Sequence, residues 1–96
     1  MDLAEVRTQI DAIDAQILDL FCQRMALARD VAQSKIRMGK AVFDPARERA
    51  KLAHIAAQAP EGLENQAVAL FSLLMSMNKA AQLNICLLYT SDAADE

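Results

Sequence analysis

Arg24 and Asn78 bring polarity to positions where the surrounding sequence is apolar. Leu3, Val6, Ile10, Ile13, Ile17, Leu20, Leu27 and Val31 recur at steps of three and four, and the step after Leu20 lands on Arg24. Asn78 falls in the same way on the stripe set by Leu70, Phe71, Leu74 and Ala81. An arginine in an apolar seam is costly unless an anion meets it. Lys35 lies eleven residues beyond Arg24, about three helical turns, so the two cations project from nearly one face. Arg47 and Glu48 stand beside Asp44, and Gln82 pairs with Asn78 at i, i+4. This inventory offers cations, amides and carboxylates. It contains no activated serine or cysteine and no histidine base, so the chemistry it suits is electrostatic.

Three helices must position these groups. Asp2 followed by Glu5 is a capping-box-like start, and the run from Asp2 to Met38 holds no proline or glycine. Its periodicity is that of an amphipathic helix with a narrow, near-heptad seam. Gly39 supplies a C′ residue. Lys40–Phe43 is a short connector, after which Asp44 and Pro45 read as N-cap and first turn of a second helix reaching about Gln58. Ala59-Pro60-Glu61-Gly62 is a turn, and a third helix runs from about Glu64 to at least Leu83. The fold class is therefore all-α.

The lengths carry a further expectation. The first helix is about 55 Å long, the second roughly 20 Å and the third roughly 30 Å, so neither of the shorter two covers the seam from end to end. The remainder calls for a second copy, which predicts an intertwined homodimer. Arg7 lies seventeen residues before Arg24, roughly 25 Å away and about 100° round the helix. It does not reach a small ligand held by Arg24 and Lys35 of its own helix, but in an antiparallel dimer it reaches the partner's site.

Composition supports one small helical domain. The chain has 96 residues, 54% hydrophobic and 4% aromatic, with two glycines and two prolines, a profile typical of all-α proteins. Cys22 and Cys86 lack metal-ligand spacing and suggest no disulfide framework. No apolar run approaches membrane-spanning length and no signal pattern opens the chain, so a cytoplasmic protein is expected. The net charge of −3 comes entirely from Asp92, Asp95 and Glu96, leaving ten acids against ten bases in residues 1–85. A neutral domain has no basic stripe for nucleic acid.

From Cys86 the chain reads CLLYTSDAADE, where helical periodicity stops making sense. The segment resembles the in-frame translation of a common transposase-type sequencing adapter. Residues 1–85 are accordingly read as the functional domain and 86–96 as a non-native tail, with natural coding sequence that could continue past Ile85.

Each candidate also has a plainer reading. Asp44 serves as an N-cap, Lys35 complements a helix dipole, Arg47 and Glu48 are solvated surface charges, and Gln82 lies near a chain end. Arg29, Arg37, Lys40, Arg49, Lys51, Lys79 and His54 read as surface residues. Met25, Met38, Met75 and Met77 read as gap-filling core or surface, and Cys22 as an inert buried thiol.

Taken together, Leu3 to Leu83 resembles the all-helical class of chorismate mutase. The similarity is carried by Arg7 in LAEVR, IDAIDAQILDLFCQR ending at Arg24, Lys35 in AQSK, the D-x-x-R-E pattern of Asp44, Arg47 and Glu48, and Asn78 and Gln82 in FSLLMSMNKAAQ. Asn78 departs from the serine often found there, an exchange that keeps a hydrogen-bonding side chain. The resemblance implies a dimer with two equivalent sites, each completed by an arginine of the other chain. It implies cofactor-free and metal-free pericyclic rearrangement of chorismate to prephenate in phenylalanine and tyrosine synthesis. Arg24 and the partner subunit's Arg7 would clamp the carboxylates, with Arg47 in support. Lys35 and Gln82 would donate to the breaking ether oxygen, Glu48 would accept from the ring hydroxyl, and Asp44 and Asn78 would orient nearby polar groups.

Two alternatives stand beside this reading. One is isochorismate-pyruvate lyase on the same fold. The other is a non-catalytic helical dimerisation or regulatory module. A fusion to a downstream prephenate dehydratase domain is compatible with the first reading.

Overall fold

A computed structural model describes residues 1–40 and 43–94, with side chains as far as Ile85 and at Leu87. The first helix, α1, spans Leu3–Met38, α2 spans Pro45–Gln58, and α3 spans Glu64–Ala94. The helix boundaries follow from local chemistry. Asp2 Oδ1 accepts from the Glu5 N–H at 2.9 Å, satisfying one orphan amide of the first turn. Gly39 ends α1 with φ at +68°, a left-handed conformation that glycine adopts without a Cβ penalty. There the Gly39 N–H donates to the Ile36 carbonyl and the Lys40 N–H to the Lys35 carbonyl, closing the helix as a Schellman motif.

Asp44 caps α2, its Oδ1 accepting from the Arg47 N–H at 3.1 Å, with Pro45 in the first turn. The turn before α3 is closed by the Leu63 N–H donating to the Pro60 carbonyl. Its third residue, Gly62, has φ at +90°, which a type II turn requires.

Helix α3 is the centre of the fold: it packs on α1 and on α2, while among the described residues α1 and α2 make no helix-to-helix packing of their own. Ala28 and Ala32, one turn apart on α1, are the buried hydrophobic residues among those described. Their small side chains let α3 approach between the positions of Arg24 and Lys35. The sequence-based seam placed Leu27 and Val31 on this face instead. Leu27 and Val31 are both exposed, because the face meeting α3 is the alanine row one position on. Leu70, expected on the apolar face of α3, is likewise exposed.

The protomer is elongated, 63 × 27 × 15 Å, with a radius of gyration of 17.5 Å. A compact chain of this length has a radius of about 12.5 Å. Its accessible surface is 7457 Å², against roughly 5,400 Å² for a compact monomer of this mass. Much of the apolar surface lies on the N-terminal half of α1, where Leu3, Ile10, Ile13, Ile17 and Leu20 are all half exposed or more. Cys22, expected to be a buried thiol, is exposed: it lies about 100° round the helix from the half-buried Phe21, off the row of Arg24, Ala28 and Ala32 that faces α3. Helix α3 is longer than the sequence predicts, continuing through the tail to Ala94. The tail's last two residues and the Cys86 side chain lie outside the described residues. Among the described residues, no helix is long and apolar enough to cross a membrane.

Candidate active site

Where the three helices converge, they enclose a cleft of about 200 Å³. Helix α1 contributes Arg24, Val31 and Lys35; the start of α2 contributes Asp44, Arg47, Glu48 and Lys51; α3 contributes Met75, Asn78, Lys79 and Gln82. On α1 the spacing from Arg24 to Lys35 leaves Ala28 and Ala32 between them on the packed face, so both cations reach past the α1–α3 contact into one space. The α2 residues arrive together because the Asp44 cap fixes the first turn against α3. On α3, Met75, Asn78, Lys79 and Gln82 recur at steps of three, one and three, which is one helical face.

Arg24 is the most constrained group. Its guanidinium carbon lies 5.9 Å from the centroid of the Phe71 ring, within the range at which a ring face attracts a cation. Among the described residues, its Nη1 is the buried side-chain nitrogen without a hydrogen-bond partner. Leaving a buried donor unpaired costs about 1–3 kcal/mol, more when it is charged. Phe71 offsets part of that cost for the plane of the group but offers no acceptor to its N–H bonds. An anion in the cleft does.

The remaining charges agree in sign. Five cations, Arg24, Lys35, Arg47, Lys51 and Lys79, line the cleft against the two carboxylates Asp44 and Glu48. One of those carboxylates is already engaged: Glu48 Oε1 lies 3.3 Å from Lys79 Nζ. Asp44 spends one oxygen on its cap. The surplus positive charge suits a small anion carrying more than one negative charge.

Seven of the eight sequence-derived candidates, Arg24, Lys35, Asp44, Arg47, Glu48, Asn78 and Gln82, line this one cleft. Arg7 does not. It is exposed near the far end of α1, and the rise of the helix holds it roughly 25 Å from Arg24. The sequence reading missed Lys51 and Lys79, taken for surface residues, and Val31 and Met75 as lining groups. A signal was present: Lys51 follows Arg47 by four and Lys79 follows Met75 by four, so each shares a face with a residue of the cleft.

A family model described as chorismate mutase type II matches residues 6–83. The chain belongs to that family. It is 40% identical over 82 residues to the chorismate mutase of Methanocaldococcus jannaschii, a match covering 83% of each chain. It is also 38% identical over 52 residues to the T-protein of Enterobacter agglomerans, covering 54% of this chain but 14% of that protein. No solved structure matches it. The chorismate mutase family is one of intramolecular isomerases, and its helical, strand-free architecture is the one described above among the described residues.

Proposed function

We propose that the three-helix cleft binds chorismate and converts it to prephenate, in the biosynthesis of phenylalanine and tyrosine. One observation carries this reading: the buried, unpartnered Nη1 of Arg24, set in a wall where cations outnumber carboxylates. Chorismate carries two carboxylates, and its ether C–O bond gains negative charge on oxygen as it breaks.

Arg24 takes one carboxylate through its guanidinium fork, which matches carboxylate geometry bidentately. Arg47 supports that clamp. Arg7 of the partner subunit completes the site by taking the second carboxylate. Lys35 and Gln82 donate to the ether oxygen, where preorganised donors act on charge that develops only in the transition state. Glu48 accepts from the ring hydroxyl, while Asp44 and Asn78 orient polar groups nearby. Held at both carboxylates, the substrate stays in the compact conformer that reacts, and the ordering entropy is met on binding. The bond rearrangement is internal to the substrate, so these residues need only bind, orient and polarise.

The dimer in this reading is supported by the surface of the protomer. Its accessible area exceeds that of a compact monomer by roughly 2,000 Å², the scale on which obligate dimers bury surface. The exposed apolar row of α1 lies where a second α1 would cover it. A cytoplasmic location is part of this reading. The match to 14% of the longer T-protein supports a domain of this type occurring within larger chains.

The test is spectroscopic loss of chorismate by the purified chain, with prephenate identified as product and no cofactor added. Release of pyruvate from isochorismate without prephenate formation would replace the mutase with the lyase.

A further inference from the structure

Lys79 has no role in the proposal above, yet its ammonium joins three parts of the cleft. It stands on α3 one residue beyond Asn78, 3.3 Å from Glu48 Oε1 on α2. It also lies 4.6 Å from the centroid of the Phe43 ring in the α1–α2 connector. The segment it grips, from Phe43 to Glu48, delivers Asp44, Arg47 and Glu48 to the site. Both partners of the ion pair are 32% exposed, and pairs this wet add little to stability. Their geometry has a larger consequence for position. An unrestrained glutamate at Glu48 has Lys51 three residues on along its own helix, an i, i+3 pairing distance, and Arg47 beside it. Turning toward either would neutralise a cation of the anion site and withdraw the carboxylate from the substrate.

We infer that Lys79 is a positioning residue: it holds one oxygen of Glu48, leaving the other to accept from the substrate hydroxyl, and anchors the connector through Phe43. This rests on the reading of the cleft given above. Lys79 acts through Glu48 and does not itself touch the substrate.

Steady-state kinetics of the full chain test it with Lys79→Ala, Lys79→Arg, Glu48→Gln and the double variant Lys79→Ala/Glu48→Gln. Lys79→Ala is expected to lower kcat/KM about tenfold. That figure lies between the near-nil worth of an exposed pair and the hundredfold cost of an ångström's misplacement. The loss should fall in kcat, because the substrate still binds but is held less well in its reactive conformer. Lys79→Arg should recover most of it. In the Glu48→Gln background, Lys79→Ala should cost about twofold or less, since the two residues act as one unit. Thermal melts of the Lys79 variants near that of wild type show that the helices are intact.

Wild-type kinetics for Lys79→Ala would overturn the inference while leaving the reading of the cleft in place. So would a loss that persists undiminished in the Glu48→Gln background, or one that lies in KM, since either means direct contact with substrate. Absence of turnover in the wild-type chain would overturn the reading of the cleft, and this inference with it.

Discussion

The Arg24 guanidinium lies 5.9 Å from the Phe71 ring centroid while its Nη1 is buried without a hydrogen-bond partner. The ring holds the plane of the cation and leaves its donors to the cleft. In the proposed reading, an arginine kept this way serves ligand binding at a cost to the fold.

That trade predicts opposite effects of one substitution. Arg24→Leu replaces a half-buried guanidinium, whose Nη1 is buried without a hydrogen-bond partner, with an apolar side chain against Phe71, so its melting temperature should equal or exceed that of wild type. Its kcat/KM should fall on the order of 10²-fold, the worth of hydrogen bonds to a charged group. Thermal denaturation and steady-state kinetics on the same preparation check both halves. A melting temperature well below wild type would show that Arg24 is held by structural need.

Lys35→Ala should reduce kcat on the order of 10²-fold or more, as loss of an oxyanion donor does, with KM less affected because the ether oxygen gains its charge only in the transition state. Near-normal turnover would remove Lys35 from the ether oxygen.

Arg7 should act in the partner's site. Arg7→Ala and Arg24→Leu chains should each be nearly inactive alone. Mixed after mild unfolding and refolding, they form a mixed dimer in which one site has both arginines and the other has neither. Random pairing of equal amounts makes half the dimers mixed, so about one quarter of wild-type activity should return. No recovery, with mixed dimers demonstrated by mass, would place Arg7 outside the site.

Asp44 has an observed structural task, the cap on the Arg47 N–H, and a proposed binding one. Asparagine caps about as well as aspartate. Asp44→Asn should therefore keep the melting temperature while lowering activity, and Asp44→Ala should also lose about 1 kcal/mol of stability. Equal activity loss in proportion to stability in both would reduce Asp44 to its cap.

Truncation after Ile85 should leave kcat/KM within about twofold of the full chain. Gln82 lies a turn before that point, and every residue that lines the cleft precedes it. A large loss would show that the tail carries part of the function and would overturn the division at residue 85.

Much of this site is legible in the sequence because helical spacing is a local rule. Asp2, Gly39 and Asp44 mark the helix ends through hydrogen bonds made within a few residues, and Pro45 through its fixed φ. Arg24 and Asn78 stood out by breaking apolar periodicity, and both line the cleft. Lys51 and Lys79 did not stand out, because a lysine on a helix looks the same whether it faces water or another element. Cys22 was misread for the converse reason: a small apolar side chain inside a helix looks the same whether it faces another element or water, and Cys22 is exposed.

What the sequence alone determined was three helices, both ends of the first two and the start of the third, and a set of candidate anion-binding side chains on particular faces, all consequences of a 3.6-residue period and local capping. The tertiary structure decided which faces meet. Ala28 and Ala32, and not Leu27, form the contact with α3, because small side chains allow the closest approach. That approach sets Arg24 against Phe71, and the packing of α2 on α3 sets Lys79 beside Glu48 and Phe43. These relationships join residues tens of positions apart, and no local spacing encodes them.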